Sequence, residues 1–182
     1  MATNQEHMEC IGLFGTRGES KWRDPFIARY KSLGIPYFNP QVEAGTWRPG
    51  MVAEENLHFT KDAIILFPVT AETTGQGSLA EVGFSVAGAL RQSANRFFLF
   101  MVEDGCNDTQ ADDAARADSV RSRALVKSKL VDAASKQPNI IITESLSEML
   151  ELSTSVFQWL RDKEKLDGEL EHILGSRASK SA

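Results

Sequence analysis

Cysteine is scarce in this chain, with only Cys10 and Cys106 among 182 residues. Two thiols exclude a disulfide framework, and a reducing cytoplasm is the expected compartment. The three histidines, His7, His58 and His172, lie far apart and no Cys/His cluster has zinc spacing. No structural metal is therefore expected. Surplus positive charge is also missing: the net charge is −5, whereas a dedicated nucleic-acid binder carries a basic excess. No apolar run approaches the roughly 20 residues of a membrane span. The N-terminal MATNQEHMEC lacks the basic-then-apolar order of a signal peptide. A soluble protein with no membrane or nucleic-acid partner is expected.

What is present is 42% hydrophobic residues, arranged in short runs that alternate with helical segments. Residues 11–14, 36–38, 63–69, 96–102 and 139–143 are brief blocks rich in β-branched or aromatic residues. Runs apolar on both faces are typical of strands buried in a parallel sheet. Asp24-Pro25 reads as an N-cap followed by proline at the first helical position. Ser145 and Glu148 form a capping box ahead of Leu146, Met149, Leu150, Val156, Phe157 and Leu160. Residues 111–136 are mostly alanine and charged, so an exposed helix is expected there. The order predicts one α/β domain over 8–161, doubly wound and flavodoxin- or Rossmann-like, with about five parallel strands. Residues 162–182 read as a charged, loose C-terminal tail in which Leu166, Leu170, Ile173 and Leu174 could still form a short contact helix.

Three segments that follow strands, 15–23, 39–49 and 69–77, are long, against about 2–6 residues for ordinary strand-to-helix loops. All three leave the carboxyl edge of the sheet, where open α/β sheets bind ligands. The first, GTRGESKWR, offers Gly15, Thr16, Gly18 and Ser20 beside Arg17, Lys21 and Arg23, a mixture suited to an anion. It is not a P-loop, because G-x-x-x-x-G-K-[ST] is absent. Trp22 here, with Asn39 and Trp47 in the second loop, offers groups for a base or sugar, although either tryptophan could equally be a hydrophobic plug. The third loop leads into TGQGSLAEVGFSVAGAL. Gly75 and Gly77 remove side-chain bulk and let a ligand approach the backbone. Ser78 and Glu81 satisfy S-x-x-E, so Glu81 has two readings. It caps a helix, or it is the reactive group of a pocket, held ionised by amide contacts.

FGTRGESKWR, YFNP, the Trp47 loop, DAIILFPVT and GQGSLAEVGFSVAGAL, in that order, resemble the nucleoside 2-deoxyribosyltransferase-like superfamily, which includes the 2'-deoxynucleoside 5'-phosphate N-hydrolases. The resemblance covers residues 11–102, and its most specific piece is Glu81-Val82-Gly83 after the small-residue loop. It implies a doubly wound fold and a nucleophilic glutamate, matched by Glu81, that attacks the anomeric carbon and displaces a nucleobase. An upstream acid protonates the base. Asp62 precedes its strand and lies at the wrong edge, so Glu55, beside Val52 and Phe59, is the better candidate, with Glu54 next to it. Partial burial there would raise its pKa, as a general acid requires. Arg17 and Ser20 would hold a 5'-phosphate. The chain has Thr73-Thr74 where the transferases carry an aspartate, and nothing matches their C-terminal aromatic contribution from a neighbouring subunit. No cofactor is implied. A nucleotide sensor without catalysis and an NAD-type N-glycohydrolase are the competing readings. The apolar character of residues 79–90 on all sides points to a homodimer or higher homo-oligomer.

Overall fold

Strand β3 (Asp62–Val69) is buried along all eight residues, which makes it the centre of the molecule. It lies between β1 (Met8–Leu13) and β4 (Phe97–Val102), with β2 (Tyr37–Phe38) and β5 (Ile140–Ile142) outside them. The order is β2-β1-β3-β4-β5 and every pairing is parallel. The computed structural model describes residues 8–18, 20–41, 48–91 and 96–178.

Helices cover both faces because the strands alternate their side chains. Ile64 and Leu66 of β3, with Leu99 and Met101 of β4, pack on α1 (Arg23–Leu33) and α5 (Leu146–Ala178) through Phe26, Tyr30, Met149 and Phe157. Ile65, Phe67 and Val69, with Phe98 and Phe100, meet α3 (Gln76–Arg91) and α4 (Asp113–Ala134) through Leu79, Val82, Leu130 and Ala133. Phe59 of α2 (Pro49–Lys61) joins that second core. This is the expected doubly wound α/β fold. Among the described residues no helix is long and apolar enough to cross a membrane.

Three local expectations change. Helix α1 starts at Arg23, and Trp22 rather than Asp24 precedes it. Asp24 lies in the first turn, where a carboxylate meets the positive end of the helix dipole. Helix α3 starts at Gln76, ahead of Ser78, so the Ser78–Glu81 capping box is not formed. The expected tail is helical: α5 runs 33 residues to Ala178, about 50 Å at 1.5 Å per residue. Residues 161–170 of it are exposed throughout, so Leu166 and Leu170 contact no other part of the described chain closely enough to be covered. At its start, Ser145 does cap, accepting from Glu148 N at 3.1 Å.

Candidate functional site

The chain leaves β1 towards β2 on one side and enters β3 on the other, so the sheet order reverses between these two strands. Ligands bind at such a switch point, beyond the carboxyl ends of the strands. Here that place is bounded by residues 14–18 and 20–22 after β1 and 70–75 after β3.

Several residues build the first loop rather than line a cavity. Gly15 has φ +92°, and a Cβ on it would sit 2.3 Å from Pro68 O, so only glycine fits. Thr16 is buried and bolts the loop to β3: its amide donates to Pro68 O at 2.9 Å, and its Oγ1 accepts from Thr70 N at 2.8 Å. Ser20 is buried and donates to Glu72 Oε1 at 3.1 Å. Trp22 is 3% exposed and donates Nε1–H to Thr16 O at 2.9 Å, so it is core, not a ligand-stacking surface. Arg23 is no anion ligand either. Its buried guanidinium donates to Leu13 O at 3.0 Å and Thr16 O at 2.6 Å, and also reaches Phe14 O. Burial pushes its pKa down to about 10. Parallel strands end in carbonyls that need donors, and an arginine's five N–H groups supply them. Of this loop, Arg17 and Gly18 reach the cavities.

The third loop is held the same way from α4. Arg123, fully buried, donates to Val69 O and Glu103 O at 3.1 Å, Thr70 O at 2.9 Å and Thr73 O at 2.8 Å. Ser119, one turn earlier, donates to Thr74 O at 2.7 Å. Gly75 turns the chain at φ +66°, and a Cβ there would lie 3.0 Å from Arg123 Nη2. Helix α3 then begins, with Leu79 N donating to Gly75 O.

Two adjoining cavities result. One, of about 380 Å³, is walled by Phe14, Val52, Asn56, Phe59 and Phe84 together with Arg17, Glu55 and Glu81. The other, of about 400 Å³, is lined by Gly18, Thr73, Thr74, Gly75, Gln76, Gly77 and Ser78 beside Arg17 and Glu81. Both volumes fall in the range of roughly 300–1,000 Å³ that suits small molecules. Arg17 and Glu81 line both lobes. Arg17 is ion-paired with Glu55 of α2. The Glu81 carboxylate accepts no hydrogen bond among the described residues, so the expected amide contacts to it are not made. Although the residue is exposed, the walls withdraw water from the carboxyl and raise its pKa. Arg17 opposes that rise and Glu55 adds to it.

Of the residues expected from sequence, the structure thus brings together Glu81, Glu55, Arg17, Gly75, Gly77 and Ser78. Gly15, Thr16, Ser20 and Trp22 lie beneath them. Asn39 is half-buried, and its Oδ1 accepts from Gln41 N at 3.1 Å. Trp47 lies outside the described residues. The sequence reading missed Arg123 and the wall formed by Phe14, Asn56 and Phe84.

No family model and no curated protein matches the chain. Among solved structures, a conserved protein from Enterococcus faecalis V583 is similar over 78% of this chain and 95% of its own, at 13% identity and a TM-score of 0.43.

Proposed function

We propose that this protein cleaves or exchanges the N-glycosidic bond of a (deoxy)nucleoside or nucleoside 5'-monophosphate, with Glu81 as nucleophile. The observation that carries the reading is the position of Glu81. It stands where a lobe walled by aromatic rings meets one lined by glycine, threonine and serine, with a second carboxyl, Glu55, lining the aromatic one. A nucleotide has the same division. Its base fits among Phe14, Phe59 and Phe84, its sugar and phosphate fit the Gly/Thr/Ser lobe, and its glycosidic bond falls between them.

In this reading a Glu81 oxygen bonds to the anomeric carbon while the carbon–nitrogen bond breaks and its electron pair leaves with the base. Protonated Glu55 gives that base a proton. Water then bonds to the anomeric carbon, giving a proton back to Glu55, and the ester to Glu81 breaks. The Arg17–Glu55 ion pair sets a condition on the first step. Glu55 can act as an acid once Arg17 has turned to another anion, and a 5'-phosphate in the Gly/Thr/Ser lobe is such an anion.

Val52, Leu57 and Phe84 are exposed, Phe84 by 76%, and Val52 and Phe84 belong to the wall of the aromatic lobe. A second copy of the chain covering this side belongs to the same proposal, and sedimentation tests it. The activity itself is tested by chromatography of free nucleobase after incubation with nucleosides, 5'-monophosphates and NAD. Base released by the wild type and not by Glu81→Gln supports the reading. Nicotinamide from NAD alone would redirect it to NAD hydrolysis. Nucleotide binding without turnover by the wild type would make the protein a sensor.

A further inference from the structure

At the opposite edge of the sheet lies a group of side chains that the proposed reaction does not use. Cys10 is on β1, His58 is in the last turn of α2, and Asp62 ends α2 and opens β3. One potential ligand atom from each lies within 4.8 Å of the other two. The eight residues of β3, at about 3.3 Å each, put this cluster roughly 23 Å from the end of the strand that leads to Glu81.

The cluster contains an oxygen that no nitrogen or hydroxyl donor of the described residues serves. Asp62 is 0% exposed, and its Oδ1 meets His58 Nδ1 at 2.8 Å. Its Oδ2 is buried with no well-formed hydrogen bond, and among the described residues the Cys10 thiol is the one further side chain that interacts with this carboxyl as a donor. Orphaned buried carboxylate oxygens are costly and uncommon, and an ion is one of the standard reasons for them. Gly12 leaves room next to it: a Cβ at that position would lie 2.8 Å from Oδ2. Two features fix the surrounding donors. His58 and Asp62 are spaced i, i+4, which brings both to one face at the end of the helix. The His58 ring also stacks on Phe38 at 3.8 Å with an interplanar angle of 3°. A nucleophilic role for Cys10 is disfavoured, because the residue is 7% exposed and no bulky electrophile reaches it.

We propose that Cys10, His58 and Asp62 form a binding site for a divalent transition-metal ion of the zinc class. The donors are a thiolate sulfur, an imidazole nitrogen and a carboxylate oxygen. This mixed set suits zinc or cobalt and does not suit calcium or magnesium, which take oxygen. Water fills the fourth position from the side of His58, whose side chain is 16% exposed. Bonds of about 2.0–2.3 Å in tetrahedral array place ligand atoms roughly 3.3–3.8 Å apart. The cluster must therefore draw together by about an ångström at its widest, and the His58–Asp62 contact must open slightly. Binding displaces the thiol proton into solvent, and His58 keeps a proton on the ring nitrogen that does not bind the ion. Arg96 works against the ion: its Nε donates to Asp62 O at 2.6 Å, and its charge faces the same carboxylate.

The bound ion ties β1, β3 and the end of α2 together. Glu55 lies three residues before His58 on that helix, so the site also steadies the helix that lines the aromatic lobe. The inference does not depend on the proposed reaction, since its readout is the ion itself.

The test uses the full chain, reduced and stripped of metal, titrated with cobalt(II) and then zinc(II). The expected result is one cobalt per chain with the strong visible bands of a tetrahedral site and a near-ultraviolet thiolate-to-cobalt band, both removed by zinc. Cys10→Ser abolishes the thiolate band and Cys106→Ser keeps it. Should Cys10→Ser not fold, His58→Gln provides the second probe. Losing a direct ligand should weaken zinc binding by more than the roughly 10–100-fold typical of an outer partner. Weak pink octahedral cobalt without a thiolate band overturns the proposal. So does a thiolate band that survives Cys10→Ser, or zinc affinity unchanged in His58→Gln.

Discussion

Replacing Arg123 with methionine removes the clamp on the third loop while keeping much of the side-chain volume. The wild-type guanidinium serves four carbonyls. Val69 O retains a second donor, Glu103 N at 3.0 Å, and Thr73 O retains the Cys106 thiol at 3.6 Å. Thr70 O and Glu103 O lose the partner they have. An unserved buried carbonyl costs about 1–3 kcal/mol. Two of them give roughly 2–6 kcal/mol, less what water recovers at the exposed Glu103. Some is also regained because the arginine itself is held with its pKa lowered, chiefly by burial. A net loss of about 2–3 kcal/mol remains, or roughly 5–10 °C in Tm for a domain of this size. Lysine at this position should rescue little, since a point ammonium with three donors cannot span four carbonyls. Thermal melts by circular dichroism read the effect, and catalytic turnover should fall with it because the loop leads into the helix that carries Glu81. A methionine variant melting within about 1 °C of wild type would refute the clamp.

Gly15→Ala should cost more than about 2 kcal/mol in denaturant melts, combining a left-handed φ with contact against Pro68 O. The raised pKa of Glu81 has a sign that urea melts across pH can check. Its favourable contribution is full below the ordinary value of 4.5 and is lost as pH rises through the folded value. Glu81→Gln should therefore be at least as stable as wild type at pH about 7, with the difference closing in acid. Arg17→Ala should lower kcat/KM for a 5'-monophosphate by roughly 10–100-fold, the loss of one charged contact, and should not lower it for a nucleoside, because Glu55 is then free of its ion pair. It should also move the acid limb of the rate profile to higher pH, since Arg17 holds the Glu81 pKa down.

The five strands were legible because each is apolar on both faces, and their bounds shifted by only a few residues. Helix starts were less so. Gly75, with its left-handed φ and its amide bonded to Thr73 Oγ1, lets α3 begin before the serine that looked like its cap. Glu81 is thereby freed from capping, which removes the structural reading that competed with a chemical one. Arg23 and Arg123 were illegible in their roles. An arginine in a polar stretch looks solvated, and the carbonyls it serves come from strands distant in sequence. A helical stripe was there to be seen in α4, with Ser119, Arg123, Val126, Leu130 and Ala133 on one face, but its first two members are polar. The Cys10–His58–Asp62 cluster was hidden for the same reason: Cys10 reaches the i, i+4 pair of His58 and Asp62 only through the pairing of β1 with β3.

The most direct measurement is mass spectrometry of the chain after acid quench with a 2-fluoro-arabinosyl nucleoside and its 5'-monophosphate, substrates whose glycosyl-enzyme decays slowly. The account predicts one glycosyl adduct, on the peptide that contains Glu81, absent from Glu81→Gln. Base release with no adduct, or an adduct on Glu55, would contradict it.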